Sequence, residues 1–193
     1  MKFLPADLNE LIRSRRSIFP ASYVDREIPR EIIEQVLENA NWAPNHRHTE
    51  PWRFKVFTGA ARQRLGEFLA NYYETHTDPE KFSPMKLKKT MKKPLQSACV
   101  IAICMQRDPK ESVPEWEELA ATACAVQNMW LSCTAYDIGC YWSSPKAIQV
   151  ADQLFPLAAG EKCLGFLYMG YHEMEVIPGK RTAVAEKLVW FED

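Results

Sequence analysis

The sequence predicts an α+β fold, a layer of helices on a small central sheet, and three observations carry that prediction. Residues 98–105 and 165–170 are apolar runs too short for buried helices and suited to buried strands. Helical spacing of apolar residues recurs before, between and after them. Finally, no G-x-G occurs among the seven glycines, so the dinucleotide fingerprint of a doubly wound sheet and the phosphate cradle of a P-loop are both missing. The chain has 193 residues, 47% apolar and 25% charged, without a repeat, a low-complexity tract or a dividing linker, which predicts a single domain over 1–193.

The elements follow in order. Asp7 precedes Leu8, Leu11 and Ile12, a first helix that runs into Arg13-Ser14-Arg15-Arg16-Ser17. Pro29 opens a second, with Ile32, Ile33, Val36, Leu37 and Ala40 as its apolar stripe up to Asn41. A polar loop, 44–50, carries two of the four histidines and leads into the strand 52–57. Gly59 starts a third helix with Leu65, Phe68, Leu69 and Tyr72 on one side, followed by breakers and an amphipathic piece over 85–91. The strand 98–105 and a loop to Pro114 precede a long helix from Glu115 to about Ile138, whose small residues on several sides predict enclosure by neighbours. A short strand over 139–142, a turn at Ser143-Ser144-Pro145, a helix over 146–154 and the strand 165–170 bracketed by glycines complete a sheet of about four strands. The tail ends in Leu188-Val189-Trp190-Phe191, an apolar stretch that calls for a docking surface.

The charge balance narrows the function. With 24 basic and 25 acidic side chains the net charge is −1, so no overall field favours nucleic acid or an acidic membrane. The longest apolar run is far shorter than the roughly 20 residues a membrane span needs. Pro5 and Asp7 interrupt any signal core, which leads to the expectation of a cytoplasmic protein. All six cysteines lie in or beside apolar runs without a C-x-x-C pair, and are expected as buried thiols.

The sharpest local feature is Arg15-Arg16-Ser17. Guanidiniums grip a phosphate monoester through forked N–H donors and a serine adds a hydrogen bond, although the same residues also suit a solvated helix end. Lys180 and Arg181, far along the chain, form either a second half of that grip or an exposed tail. Trp142-Ser143-Ser144 offers an aromatic wall and hydroxyls to a planar ring, or simply caps the next helix. His46 and His48 suit polar ligand contacts better than zinc, for which further ligands at useful spacing are lacking. Six lysines between 81 and 93 read as a solvated helix face or as an attractor for a phosphorylated cosubstrate. No nucleophile with its base is evident, which points to a cofactor that performs the reaction itself.

In order along the chain, Arg15-Arg16-Ser17, Pro51-Trp52-x-Phe54, the segment 113–117 leading into 123–126, Trp142-Ser143-Ser144, the strand 165–170 and Lys180-Arg181 before Val189-Trp190 resemble the FMN-dependent nitroreductase superfamily, particularly its small bacterial members. The resemblance implies an α+β homodimer with two FMN molecules at the subunit interface and a C-terminal arm crossing to the partner. It implies that Arg15, Ser17 and Arg181 hold the phosphate with Arg16 and Lys180 close by. Trp142, Ser143 and Ser144 would contact the flavin, and Trp42 and His46 would reach it from the other subunit. Phe19 stands where many relatives carry a Lys or Arg that stabilises the reduced ring, and His48 and Glu50 replace a loop asparagine and glutamine. The implied activity is an NAD(P)H oxidoreductase passing hydride through flavin N5, by a ping-pong mechanism, to nitroaromatic, quinone or similar acceptors. A flavin carrier or regulatory protein with an occluded ring is the alternative.

Overall fold

Strands β1 (Trp52–Phe57), β2 (Cys99–Gln106), β3 (Ile138–Ser143) and β4 (Glu161–Tyr171) form one antiparallel sheet ordered β1-β2-β4-β3 in the computed structural model, which describes residues 4–175 and 177–192. Both faces of the central strands are buried, which is why 98–105 reads as a continuous apolar run rather than an alternation. Ile101, Ile103, Leu167 and Met169 face α2 (Arg30–Asn41) and α5 (Glu115–Ala135). On the opposite face, Val100, Ala102, Phe166 and Tyr168 meet α3 (Ala60–His76). Removing a side chain such as Phe166 from water is worth roughly 1.5–3 kcal/mol, so this two-sided burial dominates the sheet's stability.

α1 (Pro5–Ser14) starts with proline in its first turn, where no intrahelical N–H is needed. α4 (Pro84–Leu95) is capped by the Ser83 hydroxyl, which accepts from the Lys86 N–H, and Pro94 sits in its last turn. In α5, Glu115, Glu117 and Glu118 complement the positive end of the helix dipole. Glu118 is buried but answered: Arg107 pairs with it, and it accepts the Asp108 N–H at 2.8 Å.

Three expectations are corrected and one is narrowed. The stretch 146–154 is a 3-10 segment over Lys146–Gln153, broken at Val150 (φ −125°, ψ 31°), where β-branched side chains resist regular helical winding. Strand β4 begins before Gly165, which lies inside it next to a bulge at Leu164 where the register against β2 shifts, rather than at its boundary. Its own chain covers the long helix on one side only: Trp116, Leu119 and Ala123 lie on an exposed face, opposite buried Ala125, Val126 and Met129. Cys124 shares that open face, whereas the other five cysteines are buried.

Candidate flavin and cosubstrate site

The segment after α1 is held against the outer edge of β3. Arg15 leaves helical geometry (φ −53°, ψ 126°), the Ile18 N–H donates to the Cys140 carbonyl at 3.1 Å, and the Trp130 indole donates to the Arg16 carbonyl at 3.1 Å. Tyr23 locks the far end, its hydroxyl lying 2.7 Å and 3.0 Å from the carbonyls of Ile18 and Tyr168. Its ring rests on Gly170, where a Cβ would come within 2.5 Å of it.

Three guanidiniums converge at this exit. Arg15 lies over the Trp130 ring at 4.6 Å and is held below the ordinary arginine range, first by burial and then by repulsion from Arg16 and Arg181. Thus residues from opposite ends of the chain share one electrostatic neighbourhood, and among the described residues no carboxylate forms an ion pair with any of the three. Concentrated positive charge of this kind favours an anion. Arg16 itself is turned inward. It donates to the carbonyls of Ile177 (3.0 Å), Arg13 (2.6 Å) and Arg15 (2.7 Å), so its geometry is that of a brace between α1 and the tail. Ser17 is exposed, and Lys180 is exposed with its carbonyl accepting from Arg181 at 2.7 Å.

Further along the same edge strand, Trp142 and Ser143 point to opposite faces. The indole N–H of Trp142 is buried beside Gly165 without an acceptor. The Ser143 hydroxyl accepts a 3.1 Å hydrogen bond from Lys93, and Ser144 is exposed in the turn. Lys93 escapes sequence reasoning because it stands in a run of lysines. Its ammonium lies 4.4 Å from the rings of both Tyr141 and Tyr168, and burial pulls it down to about 8. Phe19 packs on the same Tyr141 ring at 4.5 Å. A cation from α4 and the Phe19 ring therefore share contact with one tyrosine at the end of β3.

Trp42 and His46 are elsewhere. Trp42 is 78% exposed at the end of α2, its indole donating to Glu38 at 3.0 Å. His46 Nδ1 lies 2.6 Å from Glu117 in the first turn of α5. Glu117 and Trp130 are thirteen residues apart on that helix, about 20 Å along its axis. One chain does not bring His46 to Arg15. The loop between Trp42 and β1 is unusual in its own right, since Arg47, His48 and Glu50 all adopt positive φ.

An antiparallel four-stranded sheet covered by helices on both faces, with a guanidinium cluster and a serine turn along one edge, defines a class of three-layered α+β proteins. The chain belongs to the nitroreductase family, whose profile matches residues 12–171. It is 30% identical over 185 residues to YfhC of Bacillus subtilis (strain 168), named by inference as an NAD(P)H nitroreductase, covering 93% of this chain and 92% of that protein. The crystal structure of a nitroreductase-like family protein from Bacillus cereus superposes with a TM-score of 0.84 at 26% identity, covering 100% and 99% of the two chains. The fold is also that of the FMN-dependent nitroreductase NfnB from Mycobacterium smegmatis, solved in complex with NADPH, with a TM-score of 0.78 at 16% identity over 98% and 100%.

Proposed function

We propose that this protein is an FMN-dependent NAD(P)H oxidoreductase that works in the cytoplasm as a homodimer of single-domain chains. The observation that carries the reading is the cluster of Arg15, Arg16 and Arg181, which among the described residues has no ion-paired carboxylate and lies on the strand edge that ends at Ser143-Ser144. A phosphate monoester answers that charge, and a ring attached to it lies along the edge toward the serine turn. The donor set fits FMN without a glycine cradle. The family membership and the naming of YfhC and NfnB support the same cofactor and cosubstrate.

Arg15, Ser17 and Arg181 hold the phosphate, with Lys180 nearby and Arg16 bracing the backbone beneath. Trp142, Ser143 and Ser144 bound the ring, and Lys93 reaches it beside Ser143 as the cation that offsets negative charge on reduction. Trp42 and His46 serve the site of the other subunit; within one chain His46 sits at the start of α5, far from Arg15 near its end. FMN held there would supply two-electron hydride chemistry through its N5, in a ping-pong sequence between NAD(P)H and nitroaromatic, quinone or similar electron-poor acceptors. The chain contributes orientation and charge, and no side chain is assigned as catalytic acid or base. Anaerobic titration tests this: the purified protein is yellow and bleaches stoichiometrically with NADPH or NADH. A yellow protein inert to both would be a carrier instead.

A further inference from the structure

A cavity of about 620 Å³ opens between the C-terminal half of α3, α4 and the turn after β3. Its lining includes Lys81, Lys86, Lys93 and Lys146 against one carboxylate, Asp78, which already accepts from the Glu80 N–H at 3.0 Å. Among the described residues none of these four lysines is in an ion pair. Such an uncompensated lining favours an anionic occupant.

The charges are distributed, not pooled. Lys86, Thr90 and Lys93 recur at spacings of four and three on one face of α4, so the wall runs about 10 Å from the Ser143 turn to the lysines at the far end. Along the way Tyr72 and His76 stack at 4.1 Å with 9° between their planes, offering a flat aromatic face. A compact acceptor lying on the ring at Ser143 does not reach Lys81 or Lys86. A long molecule with its reactive ring at the turn and a second heterocycle plus a phosphoryl group at its distal end does.

We propose that this cavity receives the adenosine 2′-phosphate end of NADPH, so that Lys81, Lys86 and Lys146 select NADPH over NADH. This rests on the flavin oxidoreductase reading and extends it to the choice of cosubstrate. A 2′-phosphate dianion meets the distal ammoniums, whereas NADH presents only a hydroxyl there. A charge-assisted contact of this kind corresponds to a discrimination of roughly tenfold or more.

The test uses the FMN-loaded protein. Calorimetric titration is expected to show adenosine 2′,5′-bisphosphate binding at least tenfold more tightly than 5′-AMP, and Lys81→Gln/Lys86→Gln is expected to remove that difference. In steady-state assays the double variant raises KM for NADPH at least tenfold and KM for NADH by less than threefold. Lys88→Gln/Lys89→Gln, on the same helix but outside the cavity, preserves the preference; loss of preference in that control would mean diffuse steering and overturn the site. Equal binding of the two nucleotides, or a double variant that changes both nicotinamides alike or only the acceptor KM, overturns this inference and leaves the functional reading standing. A loaded protein that neither nicotinamide reduces overturns both.

Discussion

The ammonium of Lys93 donates to the hydroxyl of Ser143 across 3.1 Å, joining the last turn of α4 to the turn at the end of β3. No carboxylate pairs with it among the described residues, and two tyrosine rings supply its remaining contacts. A charge kept in that setting is available to a ring bound at Ser143. Lys93→Met is expected to make reduction of the bound flavin harder. A charge-assisted contact contributes about 1.5–3 kcal/mol, which for two electrons is a midpoint shift of about 30–60 mV to the negative side. Dye-equilibrated redox titration of wild type and variant measures it, and an unchanged potential would place Lys93 away from the ring.

The same lysine sets a pH dependence in the flavin-free protein. Burial lowers its folded-state value to about 8 from an ordinary value near 10.4, so between these limits the unfolded chain binds more protons than the folded one. The sign follows: the destabilisation is fully present below pH 8 and is relieved as pH rises toward about 10.4. Lys93→Met should therefore raise Tm at pH 7, by about 3 °C for about 1 kcal/mol, and flatten the rise with pH seen in the wild type. Thermal unfolding from pH 7 to 10 checks both.

Arg15 and Arg16 are neighbours with different duties. Arg15 is repelled by Arg181 as well as by Arg16, while Arg16 spends its donors on three backbone carbonyls. Arg15→Gln and Arg181→Gln are each expected to weaken FMN binding about tenfold or more, with Tm of the flavin-free protein unchanged or higher because repulsion is relieved. Arg16→Gln keeps a donor for the carbonyls and should alter FMN affinity less than threefold while lowering Tm. Fluorescence titration of FMN with unfolding curves separates the two patterns, and equal affinity losses at Arg15 and Arg16 would contradict the division.

The sheet, the helices and the arginine motif were legible because hydrophobic period and residue chemistry are local properties. Convergence was not: Arg15 and Arg181 lie at opposite ends of the sequence, and only the tail's return over Arg16 brings them together. Lys93 was hidden among lysines that are mostly solvated. The available signal was its place just before Pro94, where α4 must deliver the chain into buried Cys99 and Val100, so its last turn is carried toward the core. The open face of α5 was missed for a related reason. A helix with apolar or small residues all round asks for cover, and the sequence does not say whether its own chain or a second copy supplies it.

Gly170 shows how a distant packing contact governs the site. A Cβ there would approach the Tyr23 ring to 2.5 Å, and Tyr23 pins the segment that carries Ser17 and Ile18 to the sheet. Gly170→Ala is expected to cost about 1–3 kcal/mol of stability through overpacking, and to weaken FMN binding although it touches no ligand. Combining it with Tyr23→Ala, which makes room, should recover part of the stability, a coupling that a double-mutant cycle by denaturant unfolding reads directly.

His46 stands at the start of α5 and Arg15 over Trp130 near its end, so a site using both joins two chains. Mixed dimers decide this. Arg15→Glu and His46→Asp homodimers should each retain FMN poorly, because every site in them carries a defect. Co-expressed with different tags and purified through both, the heterodimer concentrates the two defects in one site and leaves the other intact, and should retain about one FMN per dimer. If each site were instead built from a single chain, both sites of the heterodimer would be defective and the doubly purified protein would be nearly colourless. Flavin absorbance per dimer distinguishes the arrangements, and a colourless heterodimer would remove His46 from the partner's site.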